Sequence, residues 1–252
     1  MAEELAKKGI ATYRFDKKSL VNPKFYIEKS EYTVKEEFID DAKEIVNFFN
    51  ENRDEYPFSE IIILGHSLSS SYIPFLMNAL DKKVSRGIMI GAASRSIAEL
   101  MQEQIIYILE NESNEQNISI YKDLLAETNN LLQILKSKQN IPNDSMFMQV
   151  PYLYWKDNFQ FDFEKSFKSN NKNLLIIQGE KDYQVPIYEY ETWKSWTRKH
   201  KKENVQLNII PNMNHILFES KNAKSTPKEY LQNAEFSSEI ISIIHDWVFK
   251  KS

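Results

Sequence analysis

Ile61-Ile62-Ile63-Leu64-Gly65-His66-Ser67-Leu68-Ser69 is the stretch that decides how this chain folds. Four consecutive apolar residues follow the turn formers Pro57 and Ser59. A run of this kind suits a strand buried on both faces of a parallel sheet. The strand is expected at 60–64 and a helical stretch to about Leu80, so 65–69 is a tight strand-to-helix turn. The same rhythm extends outward. Upstream, Thr33 is a plausible N-cap with Glu36 three residues on, a capping box. Val34, Phe38, Ile39, Ala42, Ile45, Val46 and Phe49 then fall on one helical face, and Pro57 is expected to close that helix. Before it, residues 1–8 read as the tail of an amphipathic helix ended by Gly9, and 10–15 as a short strand closed by Asp16. Downstream, strands are expected at 84–90, 174–177 and 205–210, and helices at 186–200 and 236–249.

Residues from about Ser94 to Phe161 break the alternation. Two helical segments, 97–109 and 120–135, have no strand between them, and an aromatic run, Pro151-Tyr152-Leu153-Tyr154-Trp155, follows. The whole reads as an α/β fold with a mostly parallel sheet. Its core comprises 1–93 and 162–252, with 94–161 inserted as a helical cap.

Composition bounds the function classes. There are no cysteines, which excludes disulfides, thiolate metal sites and a cysteine nucleophile. Lys and Arg number 32 against 36 Asp and Glu, without a long basic block, so no nucleic-acid footprint is expected. The longest apolar runs are strand-length, so no membrane span is expected. The first eight residues are charged and carry no apolar signal segment, which points to a cytoplasmic location. Glycine is scarce, five in 252 residues, against an average of about 7%. Each glycine should therefore sit where the backbone demands it.

Three polar residues stand just past the expected strand ends: Ser67, Asp182 and His215. In open parallel sheets that edge is where sites are built. Their chain order is that of a serine nucleophile, an acid and a histidine base. Singly, each has an ordinary reading: Ser67 as a helix N-cap, Asp182 as a loop carboxylate, His215 as a surface histidine. His66, His200 and His245 read as ordinary. The three together, in order and at strand ends, point to acyl-transfer chemistry. The small residues Gly65 and Ser69 flank Ser67, as a sharp nucleophile turn requires. The Leu68 N–H at the following helix start is a candidate oxyanion donor.

At these positions the chain resembles the α/β-hydrolases of the serine-hydrolase type, the group of bacterial esterases and serine-aminopeptidase-like enzymes. The resemblance runs along essentially the whole chain. Residues 5–11 (LAKKGIA) into Tyr13-Arg14-Phe15-Asp16-Lys17 resemble the family's "LA..G....R.D.RG.G" segment. Gly65-His66-Ser67 resembles its "GHS.G" elbow. Residues 176–185 (IIQGEKDYQV) resemble its "I.G..D..V" acid loop, and Asn212-Met213-Asn214-His215 its "G.NH" loop. The resemblance implies Ser67 as nucleophile, His215 as general base and Asp182 as the group orienting the imidazole. It implies hydrolysis of a small-molecule ester or related acyl substrate through an acyl-enzyme, with no cofactor and no metal. Four positions depart from the pattern: Ser69 and Asn212 stand for glycines, Lys18-Ser19 for a glycine-rich turn, and Leu68 for a frequently acidic residue. The family also places a central strand and an oxyanion loop ahead of the segment at 1–8. The chain thus reads as an N-terminally shortened hydrolase.

Tyr152, Trp155, Tyr183 and Met213, with Tyr154 and Met146, are candidates to line an acyl pocket. Each of the cap aromatics reads equally well as a seat for the cap on the core. The alternative function is a non-catalytic protein on the same fold.

Overall fold

The computed structural model describes residues 1–29, 31–231 and 235–250. Helices α1 (Ala2–Lys7), α2 (Lys18–Val21), α3 (Pro23–Glu28) and α4 (Asp40–Glu51) precede the first strand, β1 (Ile62–His66). Helices α5 (Leu68–Ser71) and α6 (Ile73–Leu80) lead to β2 (Arg86–Ile90). The long interruption holds α7 (Ile97–Asn111), α8 (Glu115–Ser137), a small hairpin of β3 (Met146–Phe147) and β4 (Val150–Pro151), and α9 (Tyr152–Gln160). Then α10 (Phe163–Ser169), β5 (Asn173–Gly179), α11 (Ile187–Lys199), β6 (Val205–Ile210) and α12 (Glu239–Phe249) complete the chain order. Strands β1, β2, β5 and β6 form one parallel sheet in the order β1-β2-β5-β6. All four C-terminal ends therefore lie along one edge.

The two-residue period of the strands sorts their side chains to two faces. Met89, Leu174 and Ile176 point to one, where they pack with Ile73, Leu76 and Met77 of α6, Val46 of α4 and Trp193 of α11. Ile88, Ile90, Leu175 and Ile177 point to the other, against Leu5 of α1 and Ile240, Ile241, Ile244 and Trp247 of α12. The four central residues of β5 are fully buried. Each such burial stabilises by about 1.5–3 kcal/mol. A third cluster lies within the interruption: Ala98, Leu131, Leu132, Leu135, Phe147, Tyr152 and Trp155. Among the described residues no helix is long and apolar enough to cross a membrane.

Three local expectations are corrected. Residues 10–15 form no strand. A strand needs a ladder partner more than intrinsic propensity, and among the described residues none pairs with this segment. Instead Tyr13 lies exposed, its ring edge-on to Phe49 at 5.1 Å. β1 begins two residues later than expected and is not buried on both faces. It pairs with β2 alone among the described strands, and Leu64 is 37% exposed. The helix after Thr33 opens with a π-helical turn at Lys35–Ile39 and ends at Glu51, well before Pro57. Its start does use the expected pair: the Thr33 N–H donates to Glu36 Oε2 at 2.9 Å, and the Lys35 N–H to Thr33 Oγ1 at 3.1 Å. At its end the Asn52 side-chain amide donates to the Phe48 carbonyl at 2.7 Å.

Gly87, inside β2, is set by space. A Cβ there would overlap Met77 Sδ and lie 2.7 Å from Ile73 Cγ2. Gly87→Ala is expected to destabilise the chain by about 1–3 kcal/mol through overpacking, read as a fall in urea midpoint. Met77→Ala also destabilises the core, and in the double variant the two losses should be less than additive.

Candidate active site

The site begins with a backbone turn. β1 runs into α5 so closely that a Cβ on Gly65 would lie 2.6 Å from Ser70 Cα. Ser67, between them, adopts φ 58° and ψ −131°. A non-glycine residue held there costs of order 1–3 kcal/mol and persists only when its surroundings impose it. They do: the Ser67 N–H donates to the Ile90 carbonyl of β2 at 3.0 Å, and the Ser70 N–H to the Ser67 carbonyl at 2.9 Å. Ser69, where the resemblance calls for glycine, uses its extra atoms. Its Oγ accepts from the His66 N–H at 3.2 Å and donates to the His66 carbonyl at 3.0 Å, tying the strand end to the first helical turn. Leu68 occupies the first position of α5, where a backbone N–H has no intrahelical acceptor.

Asp182 follows β5 and His215 follows β6, and both are buried. His215 Nε2 lies 3.0 Å from Ser67 Oγ, and His215 Nδ1 lies 2.8 Å from Asp182 Oδ2. With an ionised Asp182 accepting from Nδ1–H, Nε2 is left to accept the Ser67 hydroxyl proton. The carboxylate is held from its other side as well. Asp182 Oδ1 accepts the N–H groups of Gln184 at 2.9 Å and Val185 at 2.8 Å, and Gln178 Nε2 stands 3.4 Å from Oδ2. Gly91, just past β2, underlies this pair. Its φ is +56°, and a Cβ there would sit 3.3 Å from Asp182 Oδ2 and 3.6 Å from His215 Nδ1. In the histidine loop Asn212, another stand-in for glycine, has φ 58°. Asn tolerates this left-handed conformation better than most residues, so the departure keeps the turn.

His66 is not the ordinary residue its sequence context suggests. Its Nε2 lies 2.8 Å from the His215 carbonyl, and the two rings lie 4.8 Å apart at 36°. Burial, aided by the neighbouring His215, lowers its pKa below the usual histidine range. The adjacent Ser67 would have been the one sequence signal for it. Gln178 carried none, since a glutamine inside an apolar strand has no motif.

The aromatic candidates occupy other surroundings. Tyr152 and Trp155 are buried in the cluster of α7, α8 and β3, where Trp155 Nε1 donates to the Phe147 carbonyl at 3.2 Å. Tyr154 packs into the sheet-facing core and donates its hydroxyl to Glu37 Oε2 at 2.6 Å. Met146 is exposed. Met213 is buried among residues of the opposite sheet face, and its carbonyl accepts the Lys181 N–H at 2.9 Å. Tyr183 is sandwiched between Tyr107 of α7, at 5.1 Å and 11°, and Tyr230, at 6.1 Å and 24°. Burial pushes its hydroxyl up to about 12. The turn after β2 is pinned by a buried carboxylate: Glu189 of α11 accepts from the Ser94 N–H at 2.7 Å and from Arg95 Nε at 2.6 Å. Among the described residues no group of three or more His, Asp or Glu side chains is arranged to hold a metal ion.

The model of the alpha/beta hydrolase fold family matches residues 22–222. The chain belongs to the α/β-hydrolase family. Within that family it is 30% identical, over 250 residues, to the esterase EstD of Thermotoga maritima. The match covers 99% of this chain and 56% of EstD, so the chain spans little more than half the length of this curated relative. Among solved structures, Est1E from Butyrivibrio proteoclasticus superposes with a TM-score of 0.51 at 15% identity, covering 87% of this chain and 72% of that one. A thermophilic esterase from Thermogutta terrifontis gives a TM-score of 0.49 at 13% identity, with 87% and 73% covered. At 15% identity the likeness to Est1E speaks for the α/β-hydrolase fold alone.

Two outcomes follow from the geometry. In this hydrolase-fold chain Gly91→Ala adds a Cβ beneath the Asp182–His215 pair at a strained φ, and is expected to cost about 1–2 kcal/mol of stability, measured by thermal denaturation. The lowered pKa of His66 means that the folded state binds fewer protons there than the unfolded state. Its contribution is present above about pH 6.5 and is lost as pH falls through the folded-state value. The melting temperature should therefore drop on acidification below pH 6.5, and His66→Gln should flatten that drop.

Proposed function

We propose that this chain is a serine hydrolase that cleaves small-molecule esters through an acyl-enzyme on Ser67. The observation carrying this reading is the continuous chain Ser67 Oγ to His215 Nε2 at 3.0 Å and His215 Nδ1 to Asp182 Oδ2 at 2.8 Å, built on a serine at φ 58°. The esterase identity of its 30%-identical relative supports ester bonds as the target class.

In this mechanism His215 Nε2 removes the Ser67 hydroxyl proton while Oγ attacks the ester carbonyl carbon. The tetrahedral oxyanion receives the Leu68 N–H, at the positive end of the helical turns behind the elbow. Asp182 orients the imidazole and stabilises the imidazolium. The C–O bond to the alcohol then breaks, and His215 returns the proton to the leaving oxygen. Water, deprotonated by the same nitrogen, attacks the acyl carbon; the bond to Ser67 Oγ breaks, His215 returns the proton to Oγ, and the acid leaves. We further propose that residues 94–161 act as the cap over this edge. Tyr152 and Trp155 serve as its internal packing, and Tyr183 as its contact with the acid loop. Amide or peptide bonds are a second substrate class for the same groups.

The test is covalent labelling with a fluorophosphonate, with the adduct located by mass. Ser67 is expected to carry it, and Ser67→Ala to abolish it. Turnover of a short-chain p-nitrophenyl ester should fall by roughly 10³-fold or more in His215→Ala, and by roughly 10⁴-fold in Asp182→Asn, which leaves the imidazole in the wrong tautomer. Labelling elsewhere, or turnover unchanged in Ser67→Ala, would overturn the reading in favour of a non-catalytic role.

A further inference from the structure

Glu229 is a buried carboxylate that the proposed mechanism does not use. It lies in a 3₁₀ turn, Pro227–Leu231, on the excursion that links His215 to α12. No ion pair among the described residues reaches it, and its neighbour Lys228 pairs with Glu112, at the end of α7, at 3.0 Å. Burying a charge without a counter-ion is costly unless hydrogen bonds replace the lost water. Here three neutral side chains do so. Ser220 Oγ donates at 2.7 Å and Asn222 Nδ2 at 2.5 Å to Oε1, and Ser225 Oγ donates at 2.8 Å to Oε2. Burial pushes the Glu229 pKa up, but these donors outweigh it and hold the carboxyl below its ordinary value.

The donors lie between His215 and the 3₁₀ turn, at 220–225. Just before His215, Asn214 Oδ1 accepts the Phe218 N–H at 3.1 Å. The Asn214 N–H donates to the Phe218 carbonyl at 2.9 Å, and the Ser220 N–H to the Asn212 carbonyl at 2.8 Å, closing the loop around His215. Asn214, Ser220 and Ser225 are themselves buried. The same excursion touches the segment proposed as the cap, where Tyr107 of α7 donates its hydroxyl to the Ser225 carbonyl at 2.9 Å.

We infer that Glu229 is a positioning residue for His215: its charge gathers Ser220, Asn222 and Ser225 and, through the Ser220 N–H on the Asn212 carbonyl, fixes the backbone that aims the imidazole at Ser67. This rests on the reading of His215 as general base. A hydrogen-bonded carboxylate is suited to the task because it accepts from three donors at once, whereas a neutral amide of the same shape must itself donate with one end.

The experiment compares Glu229→Gln, which keeps the volume, with Ser225→Ala, which removes one donor, in the full chain. Hydrogen exchange followed by mass spectrometry reads the loop without needing catalysis. Exchange over 212–225 is expected to rise in both variants, most in Glu229→Gln, with β5 and β6 unchanged. Fluorophosphonate labelling and kcat for a p-nitrophenyl ester are expected to fall by roughly 10–10²-fold in Glu229→Gln, with KM little altered and Ser225→Ala intermediate. Unchanged exchange over 212–225 overturns the inference whether or not the protein is active. So does faster exchange combined with wild-type kcat. If wild-type Ser67 does not label at all, the hydrolase reading fails, and the exchange comparison alone decides whether Glu229 holds the His215 loop.

Discussion

Backbones converge at the C-terminal edge of the sheet more closely than side chains would permit, and the site depends on that convergence. A Cβ on Gly65 would strike the backbone of Ser70, one on Gly179 the carbonyl of Met213, and one on Gly91 would crowd Asp182 and His215. The absent atoms allow three loops from three parallel strands to meet. The 2.8 Å and 3.0 Å hydrogen bonds along Asp182, His215 and Ser67 are the result of that meeting. The scarcity of glycine elsewhere sharpens the pattern, since three of the chain's five glycines serve this edge.

Three buried carboxylates surround the edge, each satisfied differently. Asp182 faces an imidazole and two backbone N–H groups. Glu189 faces Arg95 together with Ser94. Glu229 faces only neutral donors. An unpaired buried charge would be strongly destabilising, so each carboxylate imposes order on the loop that supplies its partners. The loops after β2, β5 and β6 are tied in this way, although little regular secondary structure runs through them.

Much of this was legible in the chain. Apolar runs marked β2, β5 and β6, and β6 coincides with its expected bounds. Helical periodicity located α7, α8 and α11. Ser67, Asp182 and His215 were singled out by order and position, and the structure brings their side chains together. What was not legible shares a cause: local pattern records how apolar a segment is, not what lies opposite it. The 61–64 run reads identically at the edge or the centre of a sheet, and among the described strands it pairs with β2 alone. Residues 10–15 have strand composition but no ladder partner among the described residues. Tyr152 and Trp155 are as apolar in a substrate pocket as in the internal cluster they occupy. Glu229 is invisible because its three donors are two scattered serines and an asparagine that only the folded loop collects. Ser69 and Asn212 resemble losses when read as missing glycines. In place, one hydroxyl ties the strand end and one asparagine keeps the left-handed turn.

The tryptophans are divided among three of the hydrophobic clusters. Trp193, with Trp196 against it at 4.9 Å, belongs to one face of the sheet, Trp247 to the other, and Trp155 to the helical interruption. These four are the chain's whole complement. Each layer therefore carries its own intrinsic fluorophore, buried in a different set of quenchers and ring neighbours. Emission from this protein is a composite of three local environments, and its loss during unfolding reports whether the two sheet faces and the cluster of α7, α8 and α9 give way as one cooperative unit or separately.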